Sequence, residues 1–204
     1  MTSLPAPTDA LAESQRLIAT LEQLRAELPF AGDILAQYRP THDELASSHV
    51  KSEAAVAAWR AALARRWDCE VAGRRLYKQI IRQFAEHYGS ASAPEVKLLS
   101  RGGAEAESSP AELLGDLRRL HAALAVGAEA LSFAAKRLPE LERVCANLES
   151  AITEANVCET SRRVAVLDIR MAREAYRRVR SETRRILIEH YGERVASEFS
   201  DFLK

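Results

Sequence analysis

The tetrapeptide Glu86-His87-Tyr88-Gly89 returns as Glu189-His190-Tyr191-Gly192, 103 positions further along the chain. The match extends well beyond four residues. The same offset pairs Leu17 with Leu120, Leu21 with Leu124, Phe30 with Phe133, Ala31 with Ala134, Leu45 with Leu148, Arg74 with Arg177 and Arg82 with Arg185, with no gap. A duplicated unit, residues 1–101 followed by 104–204, is therefore the expected organisation of a single helical-bundle domain spanning 1–204. A chain of two similar halves must fold in a way that suits both, which narrows the possible architectures sharply.

The composition points to helices. The chain has 204 residues, 47% of them hydrophobic, with only 8 glycines and 7 prolines. That apolar content suffices for a core, and a chain dominated by Ala, Leu, Arg and Glu favours long helices. No alternating β-branched run suggests a strand. No apolar run approaches the ~20 residues that span a bilayer. The N-terminus lacks a basic segment followed by an apolar one, so no secretory signal is expected. Cys69, Cys145 and Cys158 are odd in number and lack metal-ligand spacing, which suits reduced thiols in a cytoplasmic protein.

Helix punctuation is readable along most of the chain. Thr8 is expected to cap a first helix whose stripe is Leu11, Leu17, Leu21, Leu24 and Leu28. Pro29 and Pro40 are expected to break the chain, with a short helical piece between them. Thr41 and Glu44 form a capping-box pattern that should start a long helix ending at Gly89. Ser109-Pro110-Ala111-Glu112 repeats the capping signature before Leu113, Leu117, Leu120 and Leu124. Pro139 should again interrupt, and a last long helix should run to about Tyr191.

That last helix carries a heptad seam, from Leu141 through Leu148, Ala155, Ala165, Tyr176 and Ile186 to His190. The corresponding line in the first half, from Leu45 through Ser48, Ser52, Ala55, Trp59, Ala62, Arg66, Cys69, Gly73, Leu76, Ile80 and Gln83 to His87, is a weaker seam with many small residues. Each half thus reads as a helical hairpin with a short amphipathic tail: Glu95, Val96 and Leu99 in one, Glu198, Phe199 and Phe202 in the other. A lone hairpin leaves one apolar face uncovered. Two stacked copies bury both, so the expected fold is all-α, an elongated antiparallel bundle of four main helices with coiled-coil-like packing.

Chemistry is sparse by comparison. The Glu-His-Tyr-Gly element suits a helix C-terminus, with glycine in the left-handed position and histidine near the negative dipole end. Neighbouring Glu86 and His87 point about 100° apart and do not converge on one ion. No Glu-x-x-His pair for a di-iron bundle occurs, and His49 with Glu53 has no counterpart in Ile152 and Asn156. No nucleophile elbow or phosphate loop is present. No enzyme, cofactor or small-molecule substrate is implied. Trp59 falls on the seam, whereas Trp67 falls one step off it and could mark an interface.

The uneven charge is more informative. Formal net charge is zero, yet residues 60–82 carry 7 basic and 2 acidic side chains and residues 162–185 carry 9 and 3. The candidate anion-binding residues are Arg74, Arg75, Lys78, Arg82, Arg177, Arg178, Arg184 and Arg185. Arginine-rich helices hold phosphate backbones or anionic headgroups. The competing role for the same side chains is ion pairing with acidic neighbouring helices. The expectation is a non-enzymatic interaction or structural protein acting through helix faces, with a protein partner or self-association. The alternative is an anion-binding module for nucleic acid or a membrane surface.

Overall fold

A computed structural model describes residues 7–23, 25–26, 29–100 and 109–198, with side chains from Asp9 to Glu189 within those ranges. Every regular element among them is helical: α1 (Pro7–Gln23), α2 (Ala31–His87), α3 (Pro94–Leu99), α4 (Pro110–Val126) and α5 (Ala134–Glu198). α1 and α4 have the same length, 17 residues, and start at prolines 103 apart. α2 and α5 start at alanines 103 apart.

Two expected breaks are not breaks. Pro40 lies within α2 and Pro139 within α5. Proline lacks the N–H that would bond back to the carbonyl four residues earlier, which costs the helix one bond and some strain. At Pro40 burial on both sides outweighs that loss: Ile34, Leu35, Tyr38 and Leu45 are all in a core. Thr41 consequently sits in mid-helix, not at a cap, and its hydroxyl donates to the Gln37 carbonyl at 2.9 Å. At Pro139 the flanking Ala134 and Leu141 are buried in the same way.

Other signals hold. Ser109 accepts from the Glu112 amide at 3.2 Å, and the Ser109 amide donates to the Glu112 carboxylate at 3.3 Å, completing the capping box of α4. α2 stops at His87, followed by Gly89 at φ 75°. In the second half, however, α5 continues through Gly192 to Glu198. Thr8 is already inside α1, and its side chain is not among those described. Leu24, Leu28, Phe199 and Phe202 also lie outside the described residues.

The chain divides into two compact units. The terminal unit draws on Met1–Val56 and Ser161–Lys204, and the central unit is Ala57–Thr160. These units do not coincide with the halves 1–101 and 104–204. In the terminal unit α1 and the start of α2 share a core with Ala172 and Tyr176 from the far end of α5. In the central unit the end of α2, α3 and α4 share a core with the start of α5. A two-helix hairpin cannot cover its own apolar stripe, and in each unit the third helix comes from the other half of the chain.

Much of each seam faces inward, while Trp59, Cys69, Cys158 and Ile169 are only partly buried and His87 is exposed. Leu45, Ala62, Leu76 and Ile80 of α2, and Leu141, Leu148, Ala151, Ala155, Ala165, Ala172 and Tyr176 of α5, are buried. Gly73 lies on that line for a steric reason. A Cβ there would meet Leu117 at 3.2 Å and Leu113 at 3.3 Å, so its absence lets α4 approach α2 closely.

Candidate functional site

Three places hold side chains that a packed core does not explain: a buried polar cluster in the terminal unit, an outward face of α2 in the central unit, and an outward face of α5 in the terminal unit.

The buried cluster brings together Glu13 of α1, Tyr38 of α2, and Tyr176 and Arg180 of α5. The tyrosine rings meet edge to face, with centroids 5.9 Å apart. Arg180 Nη2 lies 2.8 Å from Glu13 Oε1, with both side chains about four-fifths buried. The pair is an ion pair by distance alone, because Glu13 Oε1 accepts no aligned hydrogen bond among the described residues. The two tyrosine hydroxyls lie close enough to influence each other's protonation, yet neither completes an aligned hydrogen bond. Burial raises the Glu13 carboxyl above its ordinary range, and the Arg180 charge opposes that shift only in part. Burial, aided by the Glu13 charge, also pushes the Tyr176 phenol up to about 12, so it stays protonated. Beside them Ser14 Oγ sits 3.0 Å from His42 Nδ1. Two neutral phenols and an ion-paired carboxylate include no activated nucleophile. Sequence reasoning missed this cluster because its members are scattered across three helices.

The outward face of α2 is made of Ala57, Ala61, Ala64 and Val71, all exposed, with Trp67 beside them at 63% exposure. A separate cavity of about 210 Å³ between α2 and α5 is lined by Arg65, Asp68, Cys69, Ala72, Val144 and Asn147, none of which belongs to that face. The outward face of α5 carries Val164, Leu167 and Met171 at 52%, 56% and 69% exposure. Their 3,4 spacing was a readable second stripe, on the side opposite the seam.

The sequence-derived arginines divide into two groups. Arg74 joins Arg66 in flanking buried Glu70, at 3.6 and 3.2 Å. Arg82 pairs with Glu86 at 3.0 Å, and Arg185 bridges Glu182 and Glu189. The Arg185 hydrogen bond holds Glu182 below the usual carboxylate range. These are internal ion pairs of modest stabilising value. Arg75, Arg177, Arg178 and Arg184 are exposed and have no acidic partner among the described residues, and Lys78 is exposed on α2. The fold thus keeps Arg177, Arg178 and Arg184 together on the last third of α5, in the terminal unit.

The remaining candidates have structural surroundings. His87 and Tyr88 meet edge to face at 5.0 Å, and Tyr88 stacks on Phe84 at 6.4 Å, which ties the helix end to the central core. All three cysteines are free and partly buried, and burial raises the Cys145 thiol. No group of three His, Cys, Asp or Glu side chains among the described residues is placed to hold a metal ion. No described helix is long and apolar enough to cross a membrane. No protein-family model matches the chain, and comparisons with curated proteins and with solved structures returned no match.

Proposed function

We propose that this chain is a non-enzymatic interaction protein that works through exposed helix faces, built from two tandem copies of a helical hairpin. Duplication is supported by the 103-residue spacing of the helix starts together with the residue matches at that offset. The observation that carries the interaction reading is the outward face of α2 in the central unit. Alanines at 57, 61 and 64 permit close approach of another helix, and Trp67 and Val71 supply exposed apolar area beside them. The occupant this face suits best is a helix, from a second copy or a protein partner. Three free cysteines accord with a reducing, cytoplasmic setting.

Gel filtration with light scattering tests this reading. A concentration-dependent oligomer that Ala61→Glu and Trp67→Glu reduce to monomer is the expected result. A strict monomer in low and high salt that also captures no protein partner contradicts it.

A second reading has its own observation. Arg177, Arg178 and Arg184 are exposed without an acidic partner among the described residues, as an anion-binding surface for nucleic acid or a membrane requires.

A further inference from the structure

The anion-binding reading can be narrowed through the outward face of α5 within the terminal unit. Residues 161–189 carry nine arginines and four acidic side chains, net +5. Arg163, Arg170, Arg177 and Arg184 recur at intervals of seven, so they form one row along the helix; Arg170 in that row pairs with Glu174 at 3.6 Å, whereas Arg177 and Arg184 have no acidic partner among the described residues. Val164, Leu167 and Met171 run beside that row and are more than half exposed. Arg178 is exposed on the same face as these three. Inward-facing Ala165, Ala172 and Tyr176 are buried, which fixes the arginine row and the apolar stripe on the outer side.

A basic row beside exposed apolar side chains matches the interfacial zone of an anionic bilayer. There guanidinium groups meet lipid phosphates, and Leu and Met side chains enter the acyl boundary. A nucleic acid backbone would use the arginines but leave Leu167 and Met171 in water, and no exposed aromatic lies among them to stack a base. A second copy fits this face poorly in either direction. Antiparallel packing would set the arginine row against itself, and in-register parallel packing would set Arg178 against Arg178.

We propose that the outward face of α5 between Val164 and Arg184 docks on an anionic phospholipid surface, with Arg177, Arg178 and Arg184 on headgroup phosphates and Leu167 and Met171 in the interface. This rests on the anion-binding reading. Each arginine at a charged bilayer contributes roughly fivefold in affinity, so losing two costs about twenty-five-fold, and reversing their charge costs more.

The test is co-sedimentation of the full chain with vesicles of phosphatidylcholine containing about 30% phosphatidylserine, at about 100 mM salt. Vesicles of pure phosphatidylcholine and a duplex DNA serve as the other arms. Binding to the anionic vesicles alone, reduced more than about twenty-five-fold by Arg177→Glu with Arg178→Glu and severalfold by Leu167→Ala with Met171→Ala, supports the proposal. Both double variants change exposed residues, and circular dichroism checks that they fold. Vesicle binding indifferent to Leu167→Ala with Met171→Ala overturns it, as does vesicle binding indifferent to the arginine changes. Binding to DNA but not to vesicles overturns it while leaving the anion-binding reading in place. Binding to neither overturns both.

Discussion

The two compact units solve one packing problem with opposite choices of side-chain size. In the central unit Leu113 and Leu117 of α4 press onto Gly73 of α2. The residues 103 positions away in the terminal unit are Ala10 and Ser14 on α1 and Tyr176 on α5. Where one unit places two leucines over a glycine, the other places small residues in a core with a tyrosine, and all of these side chains are buried. Tyr38 stands 103 positions before Leu141 in the same manner. Volume is roughly conserved between the units, and the placing of polar groups differs. The central unit buries one phenol, Tyr77, and pairs its buried acids Glu70 and Asp116 with arginines of their own helices, whereas the terminal core brings two phenols edge to face and a Glu13–Arg180 pair across two helices. Cores tolerate such exchange when total volume and patterning persist. The terminal unit pays in buried polar atoms that complete no aligned hydrogen bond.

The size exchange gives the largest expected effect. Gly73→Tyr, which installs the terminal unit's residue in the central one, should destabilise by more than ~3 kcal/mol in urea denaturation, because α4 has no room to yield. Adding Leu113→Ala and Leu117→Ser should restore part of that loss. Without any rescue, the two units would not be alternative solutions of one design. Next comes Tyr176→Phe. It removes a buried hydroxyl whose contact with the Tyr38 hydroxyl is not an aligned hydrogen bond, and should leave stability unchanged or raise it by up to ~1 kcal/mol. A large loss would mean that the hydroxyl is bonded after all.

Glu13 sharpens the same contrast through pH. Its pKa is raised in the folded state from an ordinary 4.5, so the native chain holds the proton more tightly than the unfolded chain. Its contribution to stability is therefore greatest below about 4.5 and declines as pH rises through the folded value. Thermal melts from pH 4 to 7 should show a decline attributable to Glu13 that Glu13→Gln removes. An identical pH profile in the variant would count against this. The smallest effect belongs to the central unit's surface: Arg118→Ala breaks an exposed pair with Glu149 at 2.8 Å and should cost under ~0.5 kcal/mol.

Much of the helical framework was legible in local chemistry. Ser109, Pro110 and Glu112 mark the start of α4, and Gly89 marks the end of α2, because caps depend on residues within one turn. Pro40 and Pro139 misled, since whether a helix survives a proline is decided by burial among residues distant in sequence: Ala172 and Tyr176 share the core around Pro40, and Leu76 and Phe84 the core around Pro139. Gly192 misled for a related reason: a glycine permits a helix end without requiring one. The seams were readable as periodicity. The division into units was not, because it depends on which helix covers which stripe across a hundred residues of sequence. Among the candidate arginines, sequence alone could not tell Arg74, which flanks buried Glu70, from Arg177 and Arg178, which face outward.

The central claim is that the outward faces, not the cores, carry the function. The most direct test is the molar mass of Trp67→Glu against the unaltered chain by light scattering, with a thermal melt on the same samples. Trp67 is largely exposed, so the melting temperature should stay within roughly 2 °C, as for a surface change, while the oligomer dissociates. An oligomer whose mass Trp67→Glu leaves unchanged, or lowers only together with the fold, would contradict the claim.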